Sequence, residues 1–151
     1  MRFISLKEYL EYGDDPEKDI AFSNKSRKYD EYFFKEIKDK LPKSFVDEYF
    51  FCHGFHDWKL ISTNMCYESQ NKKLVVVLYD DVCNLKKSII YYDVQFLKMD
   101  FPKNHFDDIM NNDFGIDEFL IVDDVYFSHE VYFPSGASYI VHFSDIEILS
   151  S

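Results

Sequence analysis

The sequence predicts an α+β domain in which N-terminal helices pack on a mostly antiparallel β-sheet of about five to six strands. Three observations carry that expectation. Tyr29, Phe33, Ile37 and Leu41 recur every four residues, the spacing of one helix face. From Trp58 onward the apolar period falls to about 2, the alternation of a strand. Helices come first and strands afterwards without regular alternation, which is the order of an α+β chain rather than of a parallel βαβ sheet. The length of 151 residues suits a single domain spanning 1–151 and is enough to bury a core without cross-links.

Taken in order, Ile4 to Tyr12 predicts a short helix, followed by the polar stretch "GDDPEKD". The stripe from Tyr29 to Leu41 is the clearest helix, with Lys28, Glu31, Lys35 and Lys38 off the stripe and Pro42 closing it. A second helix follows. Ser44 and Asp47 have capping-box spacing, Phe45, Val46, Tyr49 and Phe50 form the apolar face, and Gly54 is placed to end it as a left-handed residue. "WKLISTNMCYE" reads as a strand, "SQNKK" as a turn, "LVVVLYDD" as a buried strand and "KKSIIYYDVQFLKM" as another. "FPKNHFDDIMNND" breaks the pattern, with room for a helical turn. The end is a run of strands, "EFLIVDDVYF", "HEVYF", "SYIVHF" and "DIEIL", with Pro134 and Gly136 suited to a tight hairpin turn.

Charge is the most uneven property of the chain. The net charge is -11; residues 1–50 carry 10 bases and 12 acids, residues 51–100 carry 6 and 6, and residues 101–151 carry 1 and 10. The last third therefore holds -9 of the -11, in Asp107, Asp108, Asp113, Asp117, Glu118, Asp123, Asp124 and Glu130 together with Asp145 and Glu147. Such a face can serve solubility alone. It also repels phosphate backbones and draws in cationic surfaces, so a basic protein is the expected partner and nucleic acid is not. Aromatic residues among the acids, Phe114, Phe119, Tyr126 and Tyr132, are candidate anchors, because interface energy concentrates in few residues. Their alternative role is core packing.

Reactive chemistry is sparse. Cys52, Cys66 and Cys83 are an odd, widely spaced set, which fits reduced thiols in a cytoplasmic protein. The longest apolar run, Leu74 to Tyr79, is far short of a membrane span, and the N-terminus has no secretory pattern. The segment "FFCHGFHDWKL" gathers Cys52, His53, His56 and Asp57. Read structurally it is a joint between helix and strand, where histidines meet unpaired carbonyls and Asp57 accepts backbone amides. Cys52, His53 and His56 fall one ligand short of a closed zinc site. The dipeptide His56–Asp57 is similar to that of HD-type metal-dependent phosphohydrolases, but here it opens a strand. "NNDFGIDE" lacks the spacing of a calcium loop. No G-x-S-x-G and no glycine-rich phosphate loop occurs, and paired acids such as Asp80–Asp81 and Asp123–Asp124 fall at strand ends, where neighbours point to opposite faces. No metal, no cofactor and no enzymatic activity is expected.

Two stretches carry a resemblance. "FHDWKLIS", after a helix that follows "LP", resembles the "HDa-x-I" strand of small uncharacterised bacterial proteins, some of them found beside polymorphic toxins. "HEVYFPSGASYIVHFSDIEI" is similar to their closing hairpin with "F-x-D-I-x-I". Together they cover about 35 of the 151 residues. Trp58 stands where the family more often has a small residue, and no binding residue carries over. The resemblance implies a sheet-based α+β domain and a cytoplasmic immunity protein that neutralises a toxin domain, and the acidic field points to a basic nuclease as that domain. The surface expected to meet it is Asp107, Asp108, Asp113, Asp117, Glu118, Asp123, Asp124, Tyr126 and Glu130. The alternatives are a metal-dependent hydrolase centred on His53, His56 and Asp57, and a general cytoplasmic interaction module. Edge strands would also permit a homodimer.

Overall fold

The computed structural model describes residues 2–68, 71–102 and 113–150. Asp107, Asp108, His105 and the helical turn expected before Asp113 lie outside the described residues, as do Ser69 and Gln70 of the first hairpin.

The helices come first, as expected, but begin and end differently. Helix α1 (Leu6–Leu10) opens on a reciprocal capping box between Ser5 and Glu8. Helix α2 (Pro16–Tyr32) starts inside the stretch read as polar: Asp15 accepts from the Glu17 and Lys18 amides and Pro16 takes the first turn, where a missing N–H costs nothing. The Tyr29–Leu41 stripe is not one continuous α-helix. It passes through a π-helical turn (Phe33–Ile37) and a 3₁₀ turn (Lys38–Lys40) before Pro42 stops it. Helix α3 (Lys43–Phe51) begins directly after Pro42 without a side-chain cap, so the expected Ser44–Asp47 box does not form; Asp47 pairs with Lys43 instead.

Eight strands follow, more than the five to six expected, in two antiparallel sheets: β1 (Lys59–Glu68), β2 (Asn71–Asp80), β3 (Leu85–Tyr92), β4 (Phe96–Asp100), β5 (Ile116–Ile121), β6 (Phe127–Tyr132), β7 (Ser138–Phe143) and β8 (Asp145–Ser150). One sheet has the order β1-β2-β3-β8, the other β4-β7-β6-β5. The extra strands come from breaks that periodicity does not register. "KKSIIYYDVQFLKM" divides at Asp93, whose left-handed φ of 50° sends β4 to the second sheet. "EFLIVDDVYF" turns at Asp123, which accepts the Val125 and Tyr126 amides at 2.8 Å each, an Asx turn.

The inner faces pack on each other. Leu74, Val76, Ile89 and Tyr91 of the first sheet and Phe119, Val131, Tyr139, Val141 and Phe143 of the second share one core cluster. Through it runs a polar chain. Tyr139 and Tyr91 share a hydroxyl contact of 2.9 Å, Tyr91 Oη lies 2.6 Å from His129 Nδ1, and His129 Nε2 lies 2.7 Å from Asp117, whose carboxylate also accepts from Tyr49 Oη. With a neutral imidazole donating through Nε2 to Asp117, Nδ1 accepts from Tyr91, and Tyr91 from Tyr139. Every member is satisfied, as buried polar groups must be.

The helices close one flank of this sandwich. Tyr29 and Tyr32 hydroxyls accept the outward amides of Phe119 and Ile121 on the edge strand β5, while α3 packs beside β8. Rings of Phe33, Phe45 and Tyr49 surround Phe119 at 5.6–6.1 Å. The N-terminal residues lie over the outside of β5. No helix among the described residues is long and apolar enough to cross a membrane.

Candidate functional site

The joint after α3 is the most contorted backbone described. His53, Gly54, Phe55 and Asp57 have φ values of 52°, 66°, 60° and 68°. Gly54 adopts this freely, as the sequence led one to expect, but each of the others costs roughly 1–2 kcal/mol. Burial offsets that cost. Phe55 is fully buried, with its ring edge-on to Trp58 at 5.1 Å, a contribution of about 1.5–3 kcal/mol. Backbone bonds pin the loop further: Trp58 N–H donates to Phe55 O, Asp57 N–H to Phe114 O, and Phe114 N–H to Trp58 O at 2.7 Å. The amides of Phe55, His56, Asp57 and Trp58 are met by main chain. Asp57 therefore does not cap backbone groups; its carboxylate faces His56 Nδ1 at 2.9 Å, with both side chains exposed.

This loop separates two clefts. The first, of about 360 Å³, is lined by Asp57, Asp80, Asp81 and Asp113 together with Cys52, His53, His56, Lys59 and Cys83. The second, of about 270 Å³, adds Asp30 and Asp117 on the far side of His53 and His56. Among the described residues Lys59 is the only amine lining either cleft, and it is already bonded to Asp81. Asp80 turns to the Val82 and Cys83 amides. Asp113 is different: its Oδ1 is buried and has no hydrogen-bond partner among the described residues. Burial pushes its carboxyl above the usual range, opposed by Lys59 and reinforced by Asp57 and Asp81. Burial also raises Asp30. The thiols lining the first cleft are shifted toward the neutral form: burial pushes Cys52 to about 11, and the Asp80 carboxylate beside Cys83 raises that thiol too.

The acids of the last third do not form one surface. Asp113 enters the first cleft. Asp117 lines the second, but its side chain is only 11% exposed and is held by His129 and Tyr49. Glu118 cannot meet a partner at all. It is fully buried and accepts the amides of Arg2, Phe3 and Ile4 at 2.8–3.2 Å. Its outward position on β5 is covered by the N-terminal segment, and burial raises its carboxyl. Glu130 stands opposite it on β6, half-buried, within 3.4 Å of Ser128 Oγ. Asp123 and Asp124 are exposed on the β5–β6 turn, where Tyr126 donates to Asp93 at 2.7 Å. Of the proposed aromatic anchors, Phe114 and Phe119 are fully buried core and Tyr132 is half-buried.

Asp30 carries no signal in the sequence, and Asp80–Asp81, expected to point to opposite faces of a strand, line one cleft instead. Asp80 ends β2 and Asp81 lies in the turn beyond it, so strand alternation does not send them to opposite faces. The pairing of Lys59 with Tyr79 then sets both acids beside the joint. Only the doublet "DD" at the end of an apolar run hinted at this. Among the described residues, no three His, Cys, Asp or Glu side chains converge as metal ligands, and His53, His56 and Asp57 form no such triplet. Comparison with protein-family models, with curated proteins and with solved structures returns no match.

Proposed function

We propose that the chain is a non-enzymatic acidic binding protein of the bacterial cytoplasm, an immunity protein that blocks a basic toxin nuclease domain. The first cleft would receive an arginine or lysine of that partner. One observation carries the reading: among the described residues, Asp113 is a carboxylate with a buried, unpartnered oxygen in a cleft where four carboxylates face one amine. Bringing up a cation would satisfy that oxygen and relieve the repulsion from Asp57 and Asp81. Rigid placement on a pinned loop lowers the entropy lost on binding. The exposed Asp123 and Asp124 add field for fast association rather than a pocket. Occupying phosphate-binding arginines would leave the partner unable to hold nucleic acid.

Titration of the isotopically labelled protein with a hexa-arginine peptide tests this by amide chemical shifts. Saturable shifts centred on residues 53–59, 80–83 and 113–115 are expected, weakening steeply between low and high salt and lost in Asp80→Asn/Asp113→Asn. Shifts centred instead on the Asp123–Asp124 turn, or an affinity indifferent to salt, would overturn the assignment of the cleft.

A further inference from the structure

We propose that the flank formed by β1 and β4 is a homodimer interface, with β1 of one copy pairing antiparallel to β1 of a second about Met65. This rests on the sheet edges and is independent of the cleft.

An exposed strand edge presents unpaired amides and carbonyls, and a fold that must stay monomeric covers or charges it. Among the described residues two edges are managed and two are not. The edge of β5 is capped by Tyr29 and Tyr32, and β8 lies beside α3. Strands β1 and β4 end the sheets on the opposite flank, close enough for Thr63 Oγ1 to contact Met99 Sδ at 3.9 Å. Among the described residues, β1 pairs with β2 alone along 62–68. A cavity of about 290 Å³ lies between the two edges, lined by Met65, Tyr67, Val94, Phe96 and Leu97. Tyr67 is 72% and Phe96 44% exposed, so apolar surface accompanies the open backbone.

Charge selects the occupant. Two copies of a chain of net charge -11 repel each other over most of their surfaces. This flank is the exception: the edge strands β1 and β4 carry Lys59 and Lys98 against Glu68 and Asp100, a local charge of +2 - 2 = 0. It lacks the acidic field that would keep copies apart, and equally the field that would attract a basic partner.

Geometry then sets the register. At one end the free edge is closed by Asp113, which bridges Lys59, and by the irregularity between Leu60 and Ser62; at the other the strand stops at Glu68. Residues 62–68 remain, and their midpoint is Met65. A two-fold axis there gives a self-complementary contact. Thr63 meets Tyr67 of the second copy and Met65 meets Met65 on the core side, where their β2 partners Val76 and Leu74 point. Asn64 meets Cys66 and Ser62 meets Glu68 on the outer side. No like charges stand opposite each other, as a stable pairing requires.

Sedimentation equilibrium should return twice the 18.2 kDa chain mass at concentrations on the order of 10–100 µM. Asn64 and Cys66 are exposed, so a charge swap there leaves the fold intact. Asn64→Lys/Cys66→Lys sets lysines opposite lysines and should be monomeric. Asn64→Glu/Cys66→Glu should be monomeric likewise, and an equimolar mixture of the two should recover the dimer. The proposed register places Cys66 of the two copies about 8 Å apart, from a two-residue offset and the strand spacing, too far for a disulfide. In Cys83→Ser a short bismaleimide should therefore cross-link Cys66 to Cys66. A chain mass of 18.2 kDa throughout, which would leave the edge to another protein's strand, overturns the proposal. So does dimerisation unaffected by the swaps, or a mixture that stays monomeric.

Discussion

Replacing Tyr91 by Phe removes one oxygen from the centre of the buried polar chain and strands groups on both sides of it. Tyr91, His129 and Tyr139 are each fully buried, so water cannot stand in. His129 Nδ1 loses its donor and the Tyr139 hydroxyl loses its acceptor. Each buried orphan costs about 1–3 kcal/mol, giving about 2–5 kcal/mol for the pair, against a total stability of about 5–15 kcal/mol. With a urea dependence of about 1–3 kcal/mol per molar, the unfolding midpoint should fall by roughly 1–2 M at unchanged slope. Tyr139→Phe sits at the end of the chain and removes only a donor to Tyr91, whose own hydroxyl still reaches His129. It should cost about 0.5–1.5 kcal/mol. Tyr92→Phe breaks a half-exposed bond to Glu147 and should be nearly neutral. Equilibrium urea unfolding followed by tryptophan fluorescence of Trp58 ranks the three. A Tyr91→Phe loss no greater than that of Tyr92→Phe would refute both the chain and the proton placement on His129.

Asp113→Asn should raise stability near neutral pH while weakening binding of the hexa-arginine peptide. The folded carboxyl lies above its ordinary value of 3.8, so its protonation favours folding. That contribution is complete below the ordinary value and is lost as pH rises through the folded value; the variant should therefore gain on the parent at pH 7 but not at pH 3. Equal urea midpoints at both pH values would contradict the burial assigned to Asp113. Gly115→Ala would place a Cβ 2.2 Å from Tyr9 Oη and 2.6 Å from the Tyr132 carbonyl. The carbonyl is held by the Gly115 amide itself, so a loss of about 1–3 kcal/mol is expected, read as a lower thermal midpoint; a neutral substitution would sink the close approach. In the native protein a maleimide should modify exposed Cys66 first and leave Cys52, with its thiol near 11, intact; rapid labelling of Cys52 would show that α3 opens.

Much of the architecture is legible in the chain because it depends on local periodicity. The helical stripe at Tyr29 and Phe33, the continuous apolar run of β2, the alternation in β7 and the Pro134–Gly136 turn all predict the elements found. The division into two sheets is not legible, because it hinges on Asp93 adopting a left-handed conformation, which a strand-like sequence on either side conceals. The candidate site divides the same way. The joint at His53–Asp57 could be located from Gly54, yet its partners Asp80, Asp81 and Asp113 come from segments 23 and more residues further along, united only by the β1–β2 register and the pairing of Asp113 with Lys59.

By itself, then, the sequence determined an α+β chain rich in aromatic residues, with its negative charge gathered late and no catalytic motif. Tertiary structure alone decided which of those charges face solvent. Glu118 and Asp117 belong to the same acidic run as Asp123 and Asp124, but strand alternation and coverage by the N-terminal segment turned one toward backbone amides and the other toward His129. A carboxylate's charge is a property of its residue; whether that charge is available depends on what the rest of the chain places against it.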